Sequence, residues 1–158
     1  MEPCERKNSL SGLLKFLFCD LPDAVPVVTA FVKLYLIERG SDQLQELLSE
    51  AKEILMSIVT GPEIISCFSR LKRKGKLSEL NYRQLKRDLS ADLSHVALIE
   101  VSPDVLVEAI QCLEKFVLKT LDAIHLSSAI LSQCDLFISS DQKQIQAAKK
   151  SGLKVKLV

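Results

Sequence analysis

Short apolar runs alternate with longer amphipathic stretches from one end of the chain to the other. The short runs are rich in Val, Ile, Leu and Phe, which predicts β-strands, and they lie at residues 16–19, 54–59, 96–101, 136–139 and 155–158. The longer stretches repeat apolar residues at helical spacing, and they lie at residues 30–39, 42–51, 63–74, 79–94, 103–115, 123–133 and 142–151. Since strand–helix alternation implies right-handed crossovers, the pattern predicts a three-layer α/β/α sandwich around a central, mostly parallel sheet.

Segment 20–28 is the least regular part of this pattern, because Pro22 and Pro26 interrupt an otherwise strand-like sequence. Proline has no backbone N–H to donate to a ladder, so the segment is expected at an edge, in a loop or at a bulge rather than in a central strand. A length of 158 residues fits one domain. We therefore predict a single domain over residues 1–158, with an atypical N-terminal segment at 1–28.

Composition indicates an aliphatic core and a chain that is not basic overall. Hydrophobic residues make up 47% of the sequence, aromatic residues only 5%, and Trp is absent, as is usual for α/β sheets. Because the formal net charge is only +1, any contact with nucleic acid must come from a local patch. The basic residues between Arg70 and Lys76 form such a cluster. They either contact RNA phosphates or complement the negative end of a helix dipole.

The five cysteines are scattered, odd in number and form no C-x-x-C pair. This usage favours a reducing compartment over a disulfide framework, and it argues against a zinc site. No uninterrupted apolar stretch reaches the length of a transmembrane helix. We expect a cytoplasmic protein without membrane association.

Three acidic residues stand where strands give way to helices. Asp141 follows the strand 136–139, Glu63 follows the strand 54–59, and Asp122 opens a helix. Ligands of open parallel sheets bind beyond the carboxyl ends of the strands. Converging carboxylates repel one another unless a cation neutralises them, and Mg²⁺ or Mn²⁺ suits an all-oxygen site. Such an ion can activate water to hydrolyse a phosphodiester.

Each of these acids also has an explanation that needs no chemistry. Thr60-Gly61-Pro62-Glu63 matches a capping box, Asp141 can cap the helix that follows it, and Asp122 can favour the dipole of its own helix. His125 stands three residues after Asp122, on nearly the same helix face. A general base is conceivable there, but a packing histidine is the expected role.

Four segments together resemble PIN-domain proteins, and among these the VapC-type toxins of toxin–antitoxin pairs. The segments are AFVKLYL at 30–36, TGPEI at 60–64, LDAIHLSSA at 121–129 and DLFISSD at 135–141. The resemblance runs in order from about Ala30 to Val158. It implies a three-layer α/β/α fold, ribonuclease activity that depends on Mg²⁺ or Mn²⁺, a homodimer and an antitoxin partner.

By that likeness, Glu63, Asp122 and Asp141 match the catalytic and metal-binding acids of the family. Thr29, Ser139 and Ser140 match positions beside the metal site that contact the substrate, with Ser139 or Ser140 assisting Asp141. The metal site of the family has a fourth acid near the N-terminus, directly after the first strand.

The first acidic position has two alternative alignments. Without gaps, Val27 stands where the first Asp of the family belongs, and valine cannot bind a hard cation. With residues 21–28 taken as an insertion before Thr29, Asp20 follows the predicted strand 16–19 and completes the metal ligands. If the first alignment holds, the alternative function is a catalytically impaired PIN-fold protein that binds an antitoxin or another partner.

Overall fold

The computed structural model describes residues 25–26, 31–35 and 41–158. They form five short strands, β1 (Val25–Pro26), β2 (Ile54–Ser57), β3 (Ala97–Ile99), β4 (Phe137–Ser139) and β5 (Val155–Leu157). A 3₁₀ helix covers Phe31–Leu34. The α-helices are α1 (Ser41–Glu50), α2 (Thr60–Arg73), α3 (Glu79–Leu93), α4 (Pro103–Lys115), α5 (Thr120–Leu131) and α6 (Gln142–Lys150). The strands and helices predicted beyond residue 41 are confirmed to within a few residues at each end.

Every strand pairing in the described part of the chain is parallel. β2 pairs with β1 on one side and β3 on the other, and β4 pairs with β5. β1 also lies next to β4, so the spatial order of the strands is β3-β2-β1-β4-β5. The order reverses between β1 and β4, and the crevice beyond their carboxyl ends is therefore the expected ligand site.

The placement of Pro26 differs from the sequence-based expectation of an edge or loop. Pro26 belongs to β1, which lies in the middle of the strand order, and it pairs with Leu55 of β2. Among the described residues, the hydrogen-bonded ladders join β1 to β2 and β2 to β3, and separately β4 to β5. Proline has no N–H to donate, and the ladder described for Pro26 is the one that it shares with β2. The strand predicted at 16–19 lies outside the described residues.

The buried side chains divide into two clusters, one on each face of the sheet. Along β2, Ile54 and Met56 belong to one cluster and Leu55 to the other. β4 divides in the same way, with Ile138 in the first cluster and Phe137 in the second. Since successive residues of a strand point to opposite faces, helices α1–α3 cover one face and α4–α6 the other. The predicted three-layer α/β/α architecture is confirmed.

Aromatic contacts join the 3₁₀ helix to α2 within the first cluster. The ring of Tyr35 makes edge contacts with Phe31 and Phe68, at centroid distances of 5.9 and 5.6 Å. The Tyr35 hydroxyl donates a 2.6 Å hydrogen bond to Asp92 Oδ2 in α3. Burial, together with the Asp92 carboxylate, raises the pKa of Tyr35 far above its ordinary value.

The buried thiols of Cys112 and Cys134 should make the protein less stable towards unfolding at alkaline pH. Burial, with Glu108 beside Cys112 and Asp135 beside Cys134, raises the pKa of each thiol to about 11. Between pH 9 and 11 the unfolded chain therefore releases protons that the native protein keeps. The free energy of unfolding should fall by up to about 1.4 kcal/mol per pH unit for each thiol. Urea unfolding from pH 8 to 11 measures this slope.

The double variant Cys112→Ala/Cys134→Ala is the comparison for that experiment. It should lose the part of the slope that begins near pH 9, while the destabilisation due to Tyr35 remains at higher pH. An identical slope in the wild type and the double variant would contradict the assignment to the two thiols.

Within the described ranges, no helix combines the length and the apolar character that crossing a membrane requires.

Candidate functional site

Glu63 lies in the first turn of α2, but the capping box expected from Thr60-Gly61-Pro62-Glu63 does not form. The helix begins at Thr60 itself, after an N-cap at Val59 that makes no side-chain cap hydrogen bond. The Thr60 hydroxyl is buried and makes no hydrogen bond. A residue already inside the helix cannot act as the N-cap, so the capping explanation for Glu63 is wrong.

The Glu63 carboxylate instead contacts a buried histidine of α5. His125 Nε2 lies 2.7 Å from Glu63 Oε2, with the imidazole fully buried and the carboxylate one-third exposed. A carboxylate only accepts, so Nε2 is the donor and carries the proton. His125 is a packed residue, as expected from the sequence, and it also orients Glu63.

Asp122 lies in the first turn of α5, where both of its carboxylate oxygens accept hydrogen bonds. Oδ2 accepts from the backbone N–H of Lys119 at 3.3 Å, and Oδ1 accepts from Gln144 Nε2 at 2.7 Å. The first contact satisfies an N–H at the start of the helix, in keeping with the helix-terminus explanation. The second joins Asp122 to α6, the neighbouring helix on the same face of the sheet.

Asp141 caps α6, and that expectation is confirmed. Its Oδ1 accepts from the backbone N–H groups of Lys143 and Gln144 at 2.7 and 3.4 Å. Of the two serines expected beside Asp141, Ser139 contacts it, because its fully buried hydroxyl accepts from the Asp141 N–H at 3.0 Å. Ser140, the neighbouring candidate, is partly exposed.

Gln144 connects these residues, and nothing in the sequence pattern pointed to it. Its Nε2 donates to Asp122, its Oε1 accepts from the Ser139 hydroxyl at 2.9 Å, and its side chain is completely buried. The glutamine stands in a polar helix, where a solvent-facing residue is the default. Only the packing of α6 against β4 and α5 reveals its position.

Some of the basic residues between 70 and 76 lie at the end of α2, as the helix-dipole explanation predicts. Lys72 pairs with Glu79 at 2.6 Å and lies over the Tyr82 ring, 4.8 Å from its centroid. Arg70 and Arg73 lie in the last turn of α2, where cations complement the helix dipole.

The predicted metal ligands fit Mg²⁺ or Mn²⁺ in kind. Among the described residues, no group of three or more His, Cys, Asp or Glu is placed to hold a metal ion. Mg²⁺, however, is commonly held by one or two carboxylates together with water, and Asp122 and Asp141 are joined through Gln144. The Ser57 and Thr60 hydroxyls, at the end of β2, are also buried without a hydrogen-bond partner, so their oxygens are of the kind that a hard cation or its water can use.

The fourth predicted ligand and one predicted substrate contact, Asp20 and Thr29, lie outside the described residues. β1 ends at Pro26, so the next residue along the chain is Val27, and Asp20 precedes the strand in sequence. The assignment of Glu63, Asp122, Asp141 and Asp20 as metal ligands stays a prediction.

Comparison with known proteins identifies the family. The model of the PIN domain matches residues 27–150. The fold is similar to a toxin–antitoxin complex from Klebsiella pneumoniae (TM-score 0.58, 20% identity, 78% of this chain and 90% of that chain). It is also similar to VapBC2 from Rickettsia felis bound to a promoter DNA fragment (TM-score 0.59, 15% identity, 85% and 98%).

A third similar structure is FitAcB from Neisseria gonorrhoeae (TM-score 0.63, 13% identity, 82% of this chain and 95% of that chain). Comparison with curated protein sequences gives no significant match. The parallel strand order, the three layers and the match over residues 27–150 agree, and the chain belongs to the PIN-domain family.

Proposed function

We propose that this protein is a metal-dependent endoribonuclease of the VapC toxin type, which hydrolyses RNA phosphodiester bonds with Mg²⁺ or Mn²⁺. One observation carries the proposal. Asp122 and Asp141, from two different elements, are joined through Gln144 where the strand order reverses between β1 and β4. This crevice is the usual ligand site of open α/β sheets.

The proposed roles follow from the hydrogen bonds of each side chain. Asp122 and Asp141 would hold the cation, and Glu63 would take part from the end of β2 in the orientation set by His125. Hydrogen bonds of this kind hold ligating carboxylates in position. Thr29 and Ser140 are proposed to contact RNA, and Ser139 is proposed to act through Asp141. A bound divalent cation supplies a lowered water pKa and stabilises charge that develops on the phosphate.

Incubation of the protein with single-stranded RNA in Mn²⁺ or Mg²⁺ tests this function. Cleavage is expected with either ion and should stop when a chelator is added, because removal of the cation removes the stabilisation of the charge that develops on the phosphate. Equal cleavage with and without the chelator would count against a metal mechanism. Cleavage in neither condition would favour the second candidate.

The second candidate is a PIN-fold interaction protein with an impaired metal site. It is favoured by the alignment without gaps, in which Val27 stands at the first acidic position of the family. Valine has no atom that can bind a hard cation, so one ligand of the family's metal site is then missing. Absence of Mn²⁺ binding by calorimetry, together with absence of RNA cleavage, is the result that this candidate requires.

An antitoxin protein is the proposed partner, because the similar structures include toxin–antitoxin complexes. Self-association is proposed separately, on the outer face of α4. That face carries four large apolar residues with exposed fractions between 37% and 56%: Leu106, Val107, Ile110 and Leu113. Val117, just beyond the helix, is 85% exposed. A continuous apolar face of this kind suits the self-complementary contact of a two-fold dimer.

The variant Ile110→Asp tests the dimer. Burying an unpaired carboxylate in the interface should weaken self-association by at least about tenfold, as measured by light scattering after gel filtration. Leu80→Asp is the matched control, because Leu80 is 74% exposed and lies on α3. Unchanged self-association in Ile110→Asp would exclude this face.

A further inference from the structure

Gln144 is the residue through which the two best-placed acids contact each other. It is completely buried, yet each polar atom of its side chain has a partner on a different element. Burial of a polar amide is costly unless its hydrogen bonds are made. A glutamine kept in such a position therefore depends on both contacts being present together.

The direction of the Gln144 amide is set by its neighbours. The Ser139 hydroxyl donates to Oε1 at 2.9 Å, so Oε1 is the atom that faces β4. The N–H₂ end must then face Asp122, to whose Oδ1 it donates at 2.7 Å. The reverse orientation would place Oε1 against a carboxylate oxygen, where neither atom can donate.

The same residue contacts Asp141 through its backbone. The Gln144 N–H donates to Asp141 Oδ1 at 3.4 Å, and the Asp141 N–H donates to Ser139 Oγ at 3.0 Å. The hydrogen bonds thus form a ring of Ser139, Asp141 and Gln144, to which Asp122 is attached through the Gln144 side chain. Removal of the Gln144 amide would break the side-chain link that the described residues show between Asp122 and the turn that follows β4.

We infer that Gln144 is a positioning residue, which holds the Asp122 carboxylate against the Ser139–Asp141 turn and so sets the affinity of the pair for a divalent cation. The consequence for the cation rests on the proposed function. The pairing of Gln144 with Asp122 does not depend on the proposed function, and it is tested separately.

The pairing is tested by nuclear magnetic resonance of the protein without metal. The Gln144 side-chain amide protons should exchange slowly with solvent, because the amide is buried and donates to a carboxylate. Asp122→Ala should shift these resonances and speed their exchange, whereas Asp104→Ala, in the first turn of α4, should leave them unchanged. If the chemical shifts and exchange rates of the Gln144 amide protons do not change in Asp122→Ala, the inference is overturned, whether or not the protein is a nuclease.

The effect on the cation is tested with Gln144→Met, which keeps a similar volume but loses both side-chain hydrogen bonds. Mn²⁺ affinity measured by calorimetry should fall about 10- to 100-fold, the usual effect of losing a residue that orients a metal ligand. The matched control is Gln142→Met, an exposed residue of the same helix, and it should bind Mn²⁺ as the wild type does.

Cleavage kinetics separate positioning from general structural damage. In Gln144→Met, the Mn²⁺ concentration that gives half-maximal cleavage should rise, while the KM for RNA at saturating Mn²⁺ should stay near the wild-type value. Wild-type Mn²⁺ affinity in Gln144→Met, with loss of affinity in Asp122→Asn, would overturn the positioning role and leave the proposed function standing. Absence of Mn²⁺ binding in the wild type would instead refute the proposed function and this consequence together.

Discussion

Asp122→Asn is expected to reduce metal-dependent RNA cleavage by at least about 100-fold. Loss of a group that only orients a ligand costs 10- to 100-fold in metal affinity or activity, and Asp122 is proposed as a ligand itself. The substitution removes one negative charge and one of the two accepted hydrogen bonds, because the Asn side-chain NH₂ group cannot accept from the Lys119 N–H. The Asn carbonyl can still accept from Gln144 Nε2, so α5 and α6 should remain in place.

The measurement is the rate of cleavage of a labelled single-stranded RNA in saturating Mn²⁺. Asp104→Asn is the matched control, since Asp104 is an exposed aspartate in the first turn of α4 and undergoes the same chemical change. That variant should retain wild-type activity, and circular dichroism should show both variants folded. Equal cleavage by Asp122→Asn and the wild type would exclude Asp122 as a ligand.

Phe68→Ala is expected to lower the free energy of unfolding by about 3–5 kcal/mol. Phe68 is fully buried in the cluster beneath α1–α3, and its ring makes an edge contact with Tyr35. Truncation removes buried apolar area, the aromatic contact and the support of the 3₁₀ helix. It also leaves a cavity that the surrounding residues fill only in part.

Urea unfolding at neutral pH measures the loss, and a fall in Tm of roughly 6–20 °C should accompany it. The control is Leu80→Ala, because Leu80 is 74% exposed and its loss should change stability by no more than about 0.5 kcal/mol. A cost below about 1 kcal/mol for Phe68→Ala would mean that the 3₁₀ helix and α2 are not packed as described.

The fold was largely predictable because the local spacing of apolar residues predicts most of its strands and helices. The runs at 54–59, 96–101, 136–139 and 155–158 are short, apolar and separated by helical patterns, and such alternation has few stable arrangements. β1 was the exception. Proline at 26 argues locally against a central strand, and the position of Val25–Pro26 next to both β2 and β4 depends on tertiary packing that no local pattern indicates.

The candidate site was predictable only in part. The positions of Glu63, Asp122 and Asp141 at the junctions of strands and helices follow from the sequence and from the resemblance to PIN-domain proteins. Their partners do not. A capping box was expected at Thr60 and Glu63, but Thr60 is already helical, and Glu63 contacts a histidine 62 positions further along the chain.

The sequence by itself determined the alternation of elements, the aliphatic core, the acidic positions and, through its motifs, the family. These properties depend on side-chain type and on spacing within a few residues. Only the tertiary structure decided that Asp122 and Asp141 meet through Gln144, that His125 orients Glu63, and that β1 is Val25–Pro26. The physical reason is that a buried hydrogen bond between distant segments requires both partners to be desolvated together, and the folded core alone brings them to the same place.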